Sequence, residues 1–288
     1  MTWFSQSTLP KPTNLVDLLD DALGKYEMPR SHTSLHASSL TYEDTPFCPR
    51  EYALMDAFNV KGKETFISTS MRVTFDIGES YSNLLRNKWL REHAVGHWKC
   101  LACGQVLEFQ RAPVGKCEGC GSNKWDYQEV SFYDEETGIV GNIDLIINLG
   151  QKTHTVVEVK SISKDDFAKL KYPSSEHRVR TCLYLYLVSK GHSSTPWSPR
   201  ISHQQARILY ISKGFGTTKN TQDNKMLPFK EYVIDRDDSV LVPYLHKAKL
   251  LTKYRRKEGP MPHGICATAM CPRAMKCAVR KLCFSTPT

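Results

Sequence analysis

Read for hydrophobic period, the chain alternates between helical and strand-like segments. Residues 14–26, NLVDLLDDALGKY, place apolar side chains at helical spacing behind an Asn cap, and EMPRSHTS then breaks the pattern, so a short leading helix on a linker is expected. Helices are predicted over 48–60, with Pro49 in the first turn, and over 78–93. Strands follow through WDYQEVSFY, IVGNIDLIIN and HTVVEVKSI, the last two joined by a Gly-Gln-Lys turn as a β-hairpin. KDDFAKLK and EHRVRTCLYLYLVSKG read as helices. A loop rich in Ser, Pro and His, residues 191–204, precedes the strands ARILYIS and KEYVID, and a last helix over 238–257 ends in the basic run HKAKLLTKYRRK. Helices between the later strands imply an α/β fold, a mixed β-sheet flanked by helices. The expected organisation is a leading helix and linker over 1–34 and one domain over 35–288, with an insertion at 97–125 and a cysteine cluster at 262–284.

The most strand-like segment carries charge in its middle. Asp144 sits among Ile143, Leu145, Ile146 and Ile147, and Glu158 and Lys160 interrupt VVEVKS. An unpaired buried charge costs several kcal/mol or neutralises. Residues two apart on a strand share a face, so Glu158 and Lys160 point together and Val157 and Val159 point away. Asp144 is on the partner strand. Two carboxylates at one end of a sheet make a hard-oxygen site suited to Mg²⁺ or Mn²⁺, and the cation makes their burial tolerable. A merely solvated hairpin would have to expose both apolar flanks as well.

Composition narrows the partners. Lys and Arg total 39 against 30 Asp and Glu, a formal +9 with a pI near 9.0, which favours a polyanion. The densest basic stretch is Lys247, Lys249, Lys253, Arg255, Arg256 and Lys257, with Glu258 as the one acid nearby in sequence. No apolar run approaches the ~20 residues of a membrane span, and MTWFSQSTLPKPTN lacks the basic-then-apolar layout of a signal peptide, so a soluble, cytoplasmic protein without a membrane partner is expected. In that setting the ten cysteines read as metal ligands rather than disulfides. Cys100, Cys103, Cys117 and Cys120 form two CxxCG knuckles thirteen residues apart, the pattern of a zinc ribbon. Gly104 and Gly121 let backbone amides face the sulfurs. Four thiolates leave no open position on the ion, so its role would be structural. Cys266, Cys271, Cys277 and Cys283 cluster near the C-terminus without a CxxC, Cys48 stands at a helix start, and Cys182 on an apolar helix reads as a core residue.

GNID, a gap of thirteen residues and then EVK resembles the PD-(D/E)xK nuclease signature of the RecB-like branch. The resemblance implies a restriction-endonuclease-like fold and a Mg²⁺- or Mn²⁺-dependent deoxyribonuclease. Asp144, Glu158 and the backbone carbonyl of Val159 would hold the catalytic metals, and Lys160 would position a water or offset charge on the phosphate. Cys48 followed by the late cysteines is similar to the iron-sulfur members of that branch, among them CRISPR-associated and AddB-type nucleases. By that likeness Cys48, Cys277, Cys283 and one more cysteine would ligate a [4Fe-4S] cluster, Cys266 being preferred to Cys271, with zinc in its place as the alternative. The likeness spans residues 38–284, apart from the ribbon. Relatives carry Gly-x-x-x-His, where this chain has Gly78 and Ser82 with Glu79 as a substitute ligand, and Gln-x-x-x-Tyr, where it has Arg180 and Tyr184. Glu129 is an auxiliary carboxylate candidate. The implied substrate is DNA with a free end, attacked by an exonuclease in DNA processing, recombination or repair, with a recombination or replication protein as a second partner. A degenerate DNA-binding adaptor of the same fold is the alternative.

Overall fold

The computed structural model describes residues 14–27, 33–43, 45–62, 65–191, 196–214 and 227–285. In chain order the elements are α1 (Leu15–Leu23), β1 (Lys25–Glu27), β2 (Leu35–His36), α2 (Ala37–Thr41), α3 (Pro49–Ala57), β3 (Thr65–Ile67) and α4 (Thr69–Leu84), which widens into a π-helical turn at Leu85–Trp89. Next come β4 (Val95–Cys100), β5 (Val106–Arg111), β6 (Trp125–Gln128), β7 (Val130–Asp134), β8 (Ile139–Ile143), β9 (Leu145–Ile147) and β10 (His154–Ile162). The chain closes with α5 (Lys164–Lys169), α6 (Ser175–Gly191), β11 (Ile201–Ser212), β12 (Phe229–Asp235), α7 (Val242–Arg255), α8 (Pro272–Lys276) and α9 (Arg280–Ser285).

The fold is mixed α/β. One sheet has the order β12-β11-β10-β9, with β10 and β11 parallel and the outer pairs antiparallel. A second has the order β2-β8-β7. Only Asp144 separates β8 from β9, so one chain segment passes between the two sheets and bends at that residue. The third, β5-β4-β6, is antiparallel and carries the CxxCG knuckles.

Strand β10 organises the interior by its alternation. Val157 and Val159 pack with Leu85, Trp98, Tyr127, Leu145 and Ile211, the layer that joins α4 and the cysteine-bearing sheet to the core. Val156 faces the other way, with Ile208, Tyr210 and α6. Helix α6 is buried almost continuously from Thr181 to Val188. This explains its lack of an amphipathic stripe, because a helix buried all round needs none. Gly141, the first residue of GNID, lies under it. A Cβ there would stand 2.5 Å from Leu187 Cδ1 and 3.1 Å from Tyr184 Cδ1, so only glycine lets β8 and α6 approach this closely.

Several boundaries differ from the pattern-based reading. The helix expected over 78–93 begins at Thr69, because Ser68 caps it by accepting from Met71 N at 3.3 Å. WDYQEVSFY is two strands broken at Glu129. The last helix starts at Val242 after a 3₁₀ turn at Ser239–Leu241. Part of the expected linker, residues 28–32, lies outside the described residues. Cys182 is fully buried in the core. Among the described residues no helix is long and apolar enough to cross a membrane.

Candidate active site

Asp144 and Glu158 come together because Asp144 occupies the bend between β8 and β9. Its Oδ2 accepts from Val159 N at 2.9 Å, so the carboxylate is fixed against the peptide that follows Glu158. Asp144 is therefore not within the partner strand but at its entry, where a break in the ladder frees the side chain to turn across to β10.

Glu158 is fully buried, 0% exposed. The Lys160 ammonium lies 2.5 Å and the Arg180 guanidinium 3.6 Å from its Oε1. Lys160 therefore holds Oε1, while Oε2 has no partner among the described residues. Burial, reinforced by the charge of Asp144, raises the Glu158 pKa to about 7 against the pull of Lys160 and Arg180. Burial acts to lower the Lys160 pKa, but the Glu158 and Asp144 charges outweigh it and hold it raised. A fully buried carboxylate with one oxygen unpartnered, next to a second carboxylate, is a donor set that fits a hard cation.

Arg180 comes from α6, where it also pairs with Glu176 and donates from Nε to Thr41 Oγ1 at 3.3 Å. Tyr184, one turn on, is buried; burial and then the Glu158 and Asp144 charges raise its pKa well above the ordinary phenol value. Glu129 stands at the break between β6 and β7, 3.0 Å from Arg86 Nη1, and the same nitrogen reaches the Asp144 carbonyl at 3.4 Å. The proposed substitute Glu79 is exposed and has no described hydrogen bond or ion pair to Asp144, Glu158 or Lys160. The helix turns it away: Gly78 is the residue against the sheet, where a Cβ would meet Ser161 Oγ at 2.9 Å. Ser82 donates back to Gly78 O at 3.3 Å.

Sequence reasoning missed Arg86 and His177. Arg86 follows Gly78 and Ser82 at successive four-residue steps on one helix face, which is a readable signal. His177 Nδ1 lies 2.7 Å from Tyr210 Oη, and Tyr210 is paired in register with Lys160. Burial, then the charges of Lys160 and Arg180, push the His177 pKa down to about 3. Nothing in its sequence context distinguishes it, since its neighbours are supplied by β10 and β11.

The cysteines form two groups. Cys100, Cys103, Cys117 and Cys120 have all four ligand atoms within 4.8 Å of one another, and among the described residues no other group of three or more Cys, His or carboxylates is so compact. The Cys100–Cys120 and Cys103–Cys117 sulfur pairs are each 3.6 Å apart. Gly104 and Gly121 have φ of +79° and +74°, the left-handed turns the knuckles require. The amide N–H of Cys103 leads in holding the Cys100 thiol down to about 6. The Ser122 amide pulls Cys120 down, but burial and the Cys103 and Cys100 sulfurs push it up to about 12. Cys48, Cys266, Cys277 and Cys283 line one small cavity with Glu51 and Arg273. Cys271 is not part of that lining; it caps α8, its sulfur accepting from Ala274 N at 3.3 Å.

The basic run is less free than its sequence suggests. Lys249 pairs with Glu136 at 2.6 Å, Arg255 with Asp56 at 2.8 Å, and Arg256 donates to Glu135 O at 2.6 Å. The acids come from other elements, so Glu258 alone was a poor guide to the neutralising charge.

No protein-family model matches the chain, and no curated protein matches it. Among solved structures it is similar to the crystal structure of SSO0001, at 14% identity over 81% of this chain and 82% of that one, with a TM-score of 0.35. It is also similar to LHK-Exo, an alkaline exonuclease from Laribacter hongkongensis, in complex with dAMP, at 11% identity, 78% and 89% coverage and a TM-score of 0.43. A phage related exonuclease from Haemophilus somnus 129PT gives 12% identity, 79% and 97% coverage and a TM-score of 0.35. At these scores the likeness is one of partial outline, and the chemistry is read from the site itself.

Proposed function

We propose that the chain is a divalent-metal-dependent deoxyribonuclease that hydrolyses phosphodiester bonds in DNA from free ends. The observation that carries this reading is Glu158: fully buried, with Oε2 unpartnered among the described residues, beside Asp144 and under two cationic side chains. Asp144, Glu158 and the Val159 carbonyl would hold Mg²⁺ or Mn²⁺, which supplies polarisation of the scissile phosphate and a water of lowered pKa. Val159 N–H keeps the Asp144 carboxylate turned toward Glu158. Lys160 offers three donors at the reacting phosphate and offsets the charge that builds there. Arg180 presents a planar fork suited to a non-bridging phosphate oxygen, and in the place of a glutamine it adds a charge. Arg86 ties Glu129 to the Asp144 carbonyl, so Glu129 acts on the site through Asp144.

The cysteine groups serve the scaffold. Four thiolates within 4.8 Å suit one tetrahedral Zn²⁺ with no open position. The cavity lined by Cys48, Cys266, Cys277 and Cys283 suits a [4Fe-4S] cluster, whose thiolates surround a cube rather than one ion. Such a cluster would tie the start of α3 to the C-terminal turns, and the Glu51–Arg273 ion pair already joins the same segments.

The adaptor reading is favoured by one observation, the occupation of Glu158 by Lys160 and Arg180, which allows a charge-balanced site without a metal. Incubation of linear and circular DNA with the protein and Mg²⁺, Mn²⁺ or EDTA separates the two. Metal-dependent loss of linear DNA alone supports the exonuclease; binding without loss of any substrate supports the adaptor.

A further inference from the structure

The carboxylate site leaves one half-buried imidazole without a part. His177 stands in the first turn of α6, where its N–H donates to Ser174 Oγ at 3.3 Å and Arg178 N donates to Ser174 O at 3.0 Å. Ser174 N–H in turn donates to Tyr210 Oη at 3.1 Å, and His177 Nδ1 lies 2.7 Å from the same oxygen. Tyr210 is 1% exposed, so its hydroxyl proton must be bonded within the protein. The shortest contact takes it to Nδ1, because a phenol is the stronger acid and an imidazole nitrogen the stronger base. Nδ1 is then an acceptor, the ring is neutral, and its one proton sits on Nε2. Burial, then the charges of Lys160 and Arg180, favours the same neutral form by pushing the pKa down to about 3. The Nε2 edge makes no hydrogen bond among the described residues and is open to solvent.

The fold aims this edge along the carboxylate site. Tyr210 pairs in register with Lys160 across β10 and β11. Arg180 follows His177 by three residues, so the two share a face of α6, about 4.5 Å apart along its axis. From that face Arg180 comes within 3.6 Å of Glu158 Oε1. A third cation here would repel Lys160 and Arg180, whereas an imidazole held neutral supplies a donor without adding charge. We propose that His177 is a substrate-binding residue, whose Nε2–H donates to a non-bridging phosphate oxygen of the DNA strand lying across the carboxylate site beside Arg180. Tyr210 is its positioning residue, which fixes the proton on Nε2. The assignment rests on the reading of the protein as one that binds DNA at this site.

The test is equilibrium binding of fluorescein-labelled linear DNA to the full chain, without added Mg²⁺ or Mn²⁺, over about 50–200 mM salt. His177→Ala should weaken binding by about tenfold, the loss of one hydrogen bond to a charged group. The slope of log affinity against log salt should stay unchanged, because a neutral donor neutralises no phosphate. His177→Gln, whose amide N–H reaches the place of Nε2, should recover most of the affinity. His177→Asn, which reaches only as far as Nδ1, should not. Tyr210→Phe should weaken binding in the original chain and leave His177→Gln unaffected, since an amide has no tautomer to fix. Unchanged affinity in His177→Ala, or an Asn variant that binds as well as the Gln variant, overturns the proposal and leaves His177 a packing partner of Tyr210, with DNA binding intact. A slope flattened by about one in His177→Ala would reveal a cationic histidine and overturns it as well. Absence of DNA binding by the unsubstituted protein at every salt concentration overturns both this role and the functional reading beneath it.

Discussion

The cysteine-bearing sheet and the carboxylate site lie on opposite faces of β10, and both gather donors suited to a cation, yet they are built in opposite ways. The four cysteines come from twenty-one consecutive residues, pair sulfur to sulfur at 3.6 Å, and Cys117 also donates to Gln105 Oε1 at 3.0 Å. The carboxylates are brought together by a bend at Asp144, and Glu158 remains buried with Oε2 unpartnered among the described residues. A local donor set of this kind would close around an ion and stabilise the chain. A partly unsatisfied one holds a cost in the folded protein that a cation would relieve. On the proposed reading, the difference is that between a structural centre and a reactive one.

The largest effect that can break this contrast is removal of the zinc proposed for the cysteine-bearing sheet. Apparent binding free energies of structural zinc are about 10–16 kcal/mol in small fingers, so Cys103→Ser should unfold residues 97–125 locally. Hydrogen exchange would show loss of protection there and on Tyr127, which pairs with Trp98, with β10 and α6 still protected. Protection unchanged after complete zinc loss would mean that the sheet is held by its aromatic packing alone.

Next in size is the terminal cavity. Protein purified without oxygen should be brown and contain iron as well as zinc, and Cys48→Ala should lose the iron while keeping the zinc. Two zinc ions and no iron would remove the cluster from the account and leave the carboxylate site untouched.

The reactive site is probed by pH. The Glu158 pKa in the folded chain, about 7, lies above its unfolded value near 4.5, so the native state binds the extra proton between them. Stability from this group is therefore fully present below about 4.5, falls as pH rises, and reaches its full penalty above about 7. Glu158→Gln mimics the protonated form. Without added divalent metal it should match the original chain at pH 4.5 and exceed it by a few kcal/mol at pH 8, with the gap narrowed by Mg²⁺ or Mn²⁺ in the original chain only. Equal stability at pH 8 would mean that Lys160 and Arg180 satisfy Glu158 completely.

The smallest effects concern α7. Lys249→Ala, which removes the exposed pair with Glu136, should change stability by about 1 kcal/mol or less. Lys253→Gln with Lys257→Gln should flatten the salt dependence of DNA binding by at most about two, if this end of the helix tracks phosphates. An unchanged slope would return both lysines to ordinary solvated positions.

The same contrast explains how much of the fold and the site is legible in the sequence. The cysteine knuckles were legible because every ligand is local and the glycines mark the turns. The strand pair around Asp144 and Glu158 was legible as charge inside an apolar alternation, and its alternation placed Glu158 and Lys160 on one face. What stayed hidden depends on contacts between distant segments. The bend that frees Asp144 is a tertiary feature of two sheets, Arg86 reaches the site across 58 residues, and His177 acquires its partner Tyr210 across 33. Glu79 illustrates the converse error, a chemically suitable residue one position from the face that meets the sheet. The early start of α4 was hidden because Ser68 and Thr69 precede a stretch, Met71–Ile77, whose apolar residues remain exposed.

The central claim is that Asp144 and Glu158 hold the metal that drives phosphodiester hydrolysis, and the most direct test is Asp144→Ala assayed for both cleavage and binding of linear DNA in Mn²⁺. The account predicts that cleavage falls to background while the affinity for DNA, measured without added Mg²⁺ or Mn²⁺, stays within about threefold, since phosphate contacts dominate affinity. Cleavage at the original rate in Asp144→Ala would contradict it.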